Sequence, residues 1–368
     1  VAAVRIDRIN IYEFSLPLLK PLELKGVMHD TRKGLLIKLT DDTGAVGWGE
    51  CSPLPEFSAE TVDDIMSELK KLRFSLQRYD IPDNLEELSG GFERWLDEYK
   101  LSASARFGFE SAVLSLLASE RGIPVRELLS DESRDDILIN GLVTARASDI
   151  RSEITRLVEQ GYRTIKLKVG RATIAEDIQA VSAVLDALPH SVTLRLDANR
   201  AWSFEDAYMF ARTIDHKRIA YIEEPLVDST NLPRLYKETG VLIALDESLL
   251  NTTPERLQLH DGTAALVLKP TLLGGLETAM KFARRAIRSG IKAVVSSSFE
   301  SSLGLRMLAE FAASLGDLQT AHGLDTAGWL AVDTVADAFV ITDGRVSLMQ
   351  YASTPSVNPD VLSEISYD

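Results

Sequence analysis

TIKLKVG at residues 164–170 and VTLRLDA at 192–198 are short apolar runs ending in charge, and IAYIEEP (219–225), VLIALDE (241–247) and AALVLKP (264–270) repeat the pattern. The charges in question are Lys168, Asp197, Glu223, Asp246 and Lys269, separated by 29, 26, 23 and 23 residues. A strand, a crossover helix and two short loops need about that length. Each charge therefore falls at the carboxyl end of a successive parallel strand, with a helix between. In a closed (β/α) barrel these ends converge on one mouth, where the active site lies. Residues 137–143, 292–298 and a weaker stretch at 319–324 supply strands one, seven and eight, and helical periodicity covers 147–159, 174–188 and 276–288.

The first 130 residues break this rhythm and read as an α+β domain. Residues 4–16 alternate as a strand through Val4, Ile6, Ile9 and Ile11, and 34–40 and 45–50 form a hairpin around Asp41-Asp42-Thr43-Gly44. A helix is expected from about Ser58 as N-cap, and another over 102–121, stopped by Gly122 and Pro124. After about Asp325 the barrel rhythm ends. Residues 338–349 read as a hairpin turning at Asp343-Gly344, with the C-terminus packing back on the N-terminal domain.

Composition narrows the function. The 368 residues are 45% hydrophobic and 26% charged, the mix of a globular chain of about two domains. A net charge of −15 argues against nucleic acid or an anionic membrane as partner. No apolar run reaches the roughly 18 residues of a membrane span. The single cysteine, Cys51, excludes an intramolecular disulfide. With no leader-like N-terminal pattern, a cytoplasmic location is the expectation. The oligomeric state is left open.

Strand alternation turns Lys166 and Lys168 inward and Ile165, Leu167 and Val169 toward the helices. Asp197, Glu223 and Asp246 lie on neighbouring strands, and three hard oxygen donors there suit Mg²⁺, with Mn²⁺ as a substitute. The alternative is that these acids pair with the lysines as structural ion pairs. Glu224 and Glu247 alternate away from the mouth and stay outside the ligand set. Lys168 and Lys269, on strands two and six, face each other across the barrel. Lys166, a metal ion and partial burial all lower the pKa of Lys168 toward that of a working base. Loops supply the rest. GWGECSPLP (47–55) reads as a loop covering the mouth, or as a tight turn of the small domain, and 24–32 as a polar second lid. Ser297, Ser298, Ser301 and Gly304 in SSSFESSLG, with Asn199 and Arg32, are candidate contacts for a carboxylate substrate. Of the five histidines only His322 falls near a strand end.

KLKVG, LRLDANRAW, YIEEP, ALDESL and LVLKPTLLGG resemble the enolase superfamily, in its muconate-lactonizing subgroup. TRKGLLIKL, GWGECSPLPEFSAET, SARFGFESA, SSSFESSLGL and GLDT are similar to the o-succinylbenzoate synthase family within it, from about Thr31 to Thr326. The resemblance implies an α/β fold: a (β/α)7β TIM-like barrel over 131–325, and an α+β capping domain of 1–130 completed by about 326–368. It implies a Mg²⁺-dependent syn-dehydration of 2-succinyl-6-hydroxy-2,4-cyclohexadiene-1-carboxylate, a small dianion, to o-succinylbenzoate in menaquinone synthesis. Lys168 matches the base that takes the α-proton and returns it to the departing hydroxyl. Asp197, Glu223 and Asp246 match the metal ligands. Lys269 matches the cation on the opposite face, and Lys166 an auxiliary lysine. N-succinylamino acid racemisation uses the same residues and stays open as an alternative. Dipeptide epimerisation is a weaker one, because Gly323-Leu324-Asp325-Thr326 has no second acid two residues on. An idle binding protein on this scaffold would have no use for unpaired buried lysines.

Overall fold

Ile6, Ile9, Ile11, Phe14 and Leu16 are fully buried along the strand Arg5–Leu24 of the computed structural model, which describes residues 4–143, 149–351 and 354–366. The three-residue step from Ile6 to Ile9 is taken up by a bulge between Ile6 and Arg8. Val27–Asp41 folds back on this strand, Val46–Cys51 follows, and Tyr79–Asp80 and Leu362–Glu364 also pair with the first strand, all antiparallel. The stretch 24–32, expected as a lid loop, is instead the tip of a hairpin. Leu22 faces His29 and Leu24 faces Val27, so its backbone groups are paired with one another.

The helix expected from Ser58 is Val62–Leu76, and its cap is Thr61, in a reciprocal capping box with Asp64. Ser58 Oγ is already engaged, accepting the Leu54 N–H at 2.9 Å. Helix Ala103–Arg121, ended by Gly122 at φ 66°, lies across the strand Val46–Cys51. Three glycines permit that approach. A Cβ on Gly49 would stand 1.9 Å from the Gly108 carbonyl oxygen, one on Gly47 2.1 Å from that of Ala112, and one on Gly108 2.2 Å from Cys51 Sγ. The Gly-Trp-Gly segment is thus part of the edge strand of the cap sheet, covered by that helix, and from the loop after it Leu54 and Phe57 reach the barrel mouth.

Seven barrel strands pair in parallel and in sequence: Gly141–Val143, Thr164–Lys168, Thr193–Asp197, Ile219–Glu223, Ile243–Leu245, Thr263–Leu268 and Lys292–Val295. The run read as one first strand is broken at Asn140. Its first part, Asp136–Ile139, pairs in parallel with the eighth strand, Ala321–His322, and its second part pairs with Thr164–Lys168. A bridge from Ser296 to Gly323 joins strands seven and eight and completes the ring. Helices Ile150–Glu159, Ile174–Ala187, Phe204–Thr213, Leu232–Thr239, Leu276–Arg288 and Ser302–Ser314 fill the crossovers. Residues 147 and 148, the expected start of the first of these, lie outside the described residues. The fifth crossover carries only the short 3-10 turn Glu247–Asn251, followed by Thr252-Thr253-Pro254, whose proline cannot continue a helix from there. Asp343-Gly344 does turn the chain, both at positive φ. The strand leaving the turn, Arg345–Ser347, pairs antiparallel with Asp136–Ile139 of the barrel and not with the cap. The final strand, Leu362–Glu364, does join the cap sheet.

Gly49→Ala should lower the unfolding free energy by about 3 kcal/mol, because backbone, not a flexible side chain, blocks the new methyl. Gly328→Ala meets nothing within 4 Å and should change it by less than about 0.5 kcal/mol. Urea denaturation of both variants checks this, and equal stability would contradict the close-packing account.

Candidate active site

Parallel register sets the charged ends level. Lys168 lies opposite Asp197, and Asp197 opposite Glu223. Asp246 and Lys269 each follow directly on the last residue of their strands. Ile165, Leu167 and Val169 are buried in the core, while Lys166 and Lys168 line the cavity at the barrel axis.

The charges are not free of one another. Lys166 Nζ is 2.9 Å from Asp197 Oδ2 and 2.9 Å from both Glu223 oxygens. Lys269 Nζ is paired with Asp246 Oδ2. Among the described residues Lys168 forms no ion pair. These contacts divide the amines. Burial pushes the Lys168 amine below the ordinary lysine value; Asp197 opposes this, and Lys166, Arg171 and Lys269 reinforce it. Burial would lower Lys166 and Lys269 too, but their carboxylates outweigh it and keep both charged. The acids divide as well. Burial would raise Asp197, but Lys166 and Lys168 hold it down at about 2. Burial and the adjacent Asp197 push Glu223 well above the carboxylate range, and Lys166 offsets only part of that. One ammonium shared by two buried carboxylates leaves the second short of positive charge.

Among the described residues no three acid, imidazole or thiolate groups close on a common point; two ammonium groups are drawn against the acids instead. The donor set nonetheless fits a divalent cation. Asp197, Glu223 and Asp246 are buried hard oxygen ligands on adjacent strand ends, the lysines stand in as their cations, and Glu223 lacks full compensation.

Glu224 is also fully buried, facing away from Glu223. Its carboxylate accepts hydrogen bonds from the Asp246 N–H at 2.9 Å, the Ser248 N–H at 2.7 Å and Arg200 Nε at 3.0 Å. It therefore fixes the backbone that presents Asp246. Asn199, Arg200 and Glu224 take left-handed φ values of 42°, 61° and 41°, a strained state for side chains of this size and one that clusters at functional sites.

The cavity, of about 100 Å³, is lined by Lys166, Lys168, Lys269, Asp197, Asn199 and Ser297; Glu223 and Asp246 are not in its lining and meet it through their pairs with Lys166 and Lys269. Asn140, Leu142, Ser296, Gly323, Asp325 and Thr326 complete the wall, and none of them is among the expected site residues. Leu24 from the hairpin tip, Leu54 and Phe57 from the loop, and Phe299 from the loop after strand seven make an apolar roof. Nothing local in the sequence signals that roof, because its members come from three separate segments.

Four candidates lie elsewhere. The Ser301 N–H and the Gly304 N–H each donate to Glu50 at 2.9 Å, and Ser301 Oγ donates to it as well. Gly304 does admit a carboxylate to the backbone, but it is the cap's own Glu50, which fills the N-terminus of Ser302–Ser314. Ser298 donates its N–H to Glu300, and its hydroxyl is buried away from the cavity lining. Arg32 is buried and meets no carboxylate. Its guanidinium donates to the carbonyls of Ser52 and Pro53 in the cap and of Ser298 and Phe299 in the barrel, at 2.7 to 3.1 Å. His322 Nδ1 accepts the Val295 N–H at 3.0 Å, and burial pushes its pKa to about 3, so it stays neutral.

Comparison with known proteins gives this arrangement a family. Residues 149–352 match the "Enolase C-terminal domain-like" family and residues 6–88 the "MenC, N-terminal domain" family. An o-succinylbenzoate synthase of Pectobacterium atrosepticum is 33% identical over 87% of this chain and 90% of its own length. One of Yersinia pestis is 34% identical over 86% and 89%. The chloroplastic protein PHYLLO of Arabidopsis thaliana is 30% identical over 84% of the chain, which spans only 20% of that longer protein. The chain belongs to the enolase superfamily, in its muconate-lactonizing and o-succinylbenzoate synthase-like subgroup. Among solved structures, the L-Ala-D/L-Glu epimerase of Bacillus subtilis superposes with a TM-score of 0.81 at 26% identity, over 96% of this chain and 97% of that one. The muconate lactonizing enzyme of Pseudomonas fluorescens, at 23% identity, shares the fold with a TM-score of 0.82 over 97% and 98%. Membership implies a divalent metal cofactor.

Arg32 ties the roofing loop to strand seven. Arg32→Met should therefore cost on the order of 3 kcal/mol of stability, since it strips the donor from four carbonyls. A variant as stable as the parent, with only KM raised, would return Arg32 to the substrate contacts.

Proposed function

We propose that this chain is a lyase, an o-succinylbenzoate synthase, removing water from 2-succinyl-6-hydroxy-2,4-cyclohexadiene-1-carboxylate in menaquinone synthesis. The observation that carries the reading is the unequal treatment of the amines in one cavity: Lys166 and Lys269 are paired and charged, and Lys168, without an ion pair among the described residues, is lowered. Likeness to o-succinylbenzoate synthases over nearly their full length supports the choice of substrate.

In this reading Asp197, Glu223 and Asp246 hold a divalent cation, Mg²⁺ with Mn²⁺ as substitute. When bound, the cation supplies positive charge to the substrate carboxylate as the neighbouring carbon becomes electron-rich. Lys168, as the neutral amine, takes the proton from the carbon next to the carboxylate. The electron pair of that C–H bond moves toward the carboxylate, with Lys269 as the cation on the far face. The C–O bond to the ring hydroxyl then breaks, and Lys168 returns the same proton to the departing oxygen, giving water and an aromatic ring. Because one group serves as base and then acid, both events occur on one face. The apolar roof of Leu24, Leu54, Phe57 and Phe299 keeps bulk water from that exchange. In this reading Ser297, which lines the cavity, contacts the bound dianion, and Asn199 stands beside it.

Racemisation needs two bases of comparable standing. Likeness to o-succinylbenzoate synthases over nearly their full length favours the one-base reading. The described residues contain no helix long and apolar enough to cross a membrane, and the one cysteine is buried, with its thiol pushed well up by burial. A cytoplasmic location is part of the proposal; the single cysteine, which allows no intramolecular disulfide, is compatible with that compartment.

A product assay on purified protein tests the reading. The kcat/KM for the cyclohexadiene should exceed that for N-succinylamino acids, exhaustive EDTA should abolish turnover, and Mg²⁺ should restore it. Asp246→Asn should be inactive. Full activity after chelation contradicts the metal role, and a higher kcat/KM for racemisation reverses the choice of reaction.

A further inference from the structure

Glu247 stands directly after Asp246, where the chain leaves the fifth strand at φ −124° and ψ −85° and enters a 3-10 turn. One of its carboxylate oxygens, Oε1, accepts the Asn199 side-chain N–H at 3.1 Å. The other, Oε2, is buried and has no hydrogen-bond partner among the described residues. Asn199 is itself fixed. Its left-handed backbone donates its N–H to Asp197 Oδ1 at 3.2 Å, and its side chain lines the active-site cavity. The Asn199–Glu247 hydrogen bond thus links the segments that follow the third and fifth strands, each beside a candidate metal ligand, Asp197 and Asp246.

A buried carboxylate oxygen without a donor is costly. The charged groups that bear on Glu247 are Asp246, Lys269 and Asp197. Lys269 is turned to Asp246, and the two acids offer no proton in their ionised form. The donor that suits this position is a water molecule polarised by a nearby cation. We propose that Glu247 is a metal-positioning residue: its free Oε2 accepts a hydrogen bond from a water of the divalent cation's coordination sphere, and Asn199 holds it in that orientation. It is not a direct ligand, because it follows Asp246 by one residue and Asn199 fixes its other oxygen. This rests on the metal reading of the preceding subsection. It moves Asn199 from substrate contact to support of the metal site. Partners of this kind typically change metal affinity 10- to 100-fold.

Two substitutions separate charge from orientation. Glu247→Gln keeps the size, and its carbonyl can keep the bond to Asn199, which then puts an NH₂ donor where an acceptor is required. Asn199→Gly keeps the left-handed backbone and the Glu247 charge but removes the amide that orients it. Mg²⁺ titrated calorimetrically into chelator-treated, dialysed protein should show the dissociation constant raised about 10- to 100-fold in Glu247→Gln and raised also in Asn199→Gly. Urea unfolding in EDTA should show both variants folded; if one is not, the other carries the test. A dissociation constant within twofold of the parent's in either folded variant overturns the proposal. Absence of Mg²⁺ binding by the parent protein itself overturns the metal reading on which it stands.

Discussion

Lys166 Nζ is shared between Asp197 and Glu223, 2.9 Å from each. Three carboxylates and three amines are gathered at one end of a barrel whose interior also buries Arg195, Asn140 and His322. Charges there are tolerable only when each meets an opposite charge or a directed hydrogen bond. With Lys166 shared and Lys269 committed to Asp246, the acids claim two of the amines. Lys168 is left over, its charged form disfavoured by burial and by two other ammonium groups. A base is thus produced by the distribution of partners as much as by the choice of residue.

Holding that distribution takes a shell of further buried charge. Glu224 turns away from Glu223 through a left-handed backbone and anchors the peptide of Asp246, with Arg200 and Ser248 on its other lone pairs. At the edge of the mouth the cap and barrel are joined by groups of the same kind. Glu50 occupies the N-terminus of Ser302–Ser314, where its charge meets free N–H groups, and Arg32 gathers carbonyls from both sides. These contacts set the position of Leu54, Phe57 and Phe299. The charges beneath the roof are thus held by one group of polar bonds around Glu224, and the roof by a second group around Arg32 and Glu50.

The barrel was legible because its signals are local. A five-residue apolar run, a terminal charge and a spacing near 25 residues suffice to place a strand end, and the family motifs lie within single segments. The parts that escaped are those decided by distant or backbone geometry. Gly47 and Gly49 resemble loop glycines until helix Ala103–Arg121 is seen lying on them. Glu50 is separated from Ser301 by 251 residues, so the helix N-terminus at SSSFESSLG could not be known to be filled. Alternation does keep Glu224 and Glu247 out of the cavity lining, but what they support, the Asp246 backbone and the Asn199 side chain, depends on the left-handed turn at Glu224 and the turn at Asp246, which alternation does not show. The break at Asn140 is invisible in ILINGLV because both halves are strand, with different partners.

The central claim is that Lys168 alone moves the proton, and exchange of the substrate's α-proton with D₂O, followed by NMR, reads that event directly. Lys168→Ala, shown to be folded, should lose exchange together with turnover. Exchange in Lys168→Ala at a rate near that of the parent protein would contradict the account, whatever happens to product formation.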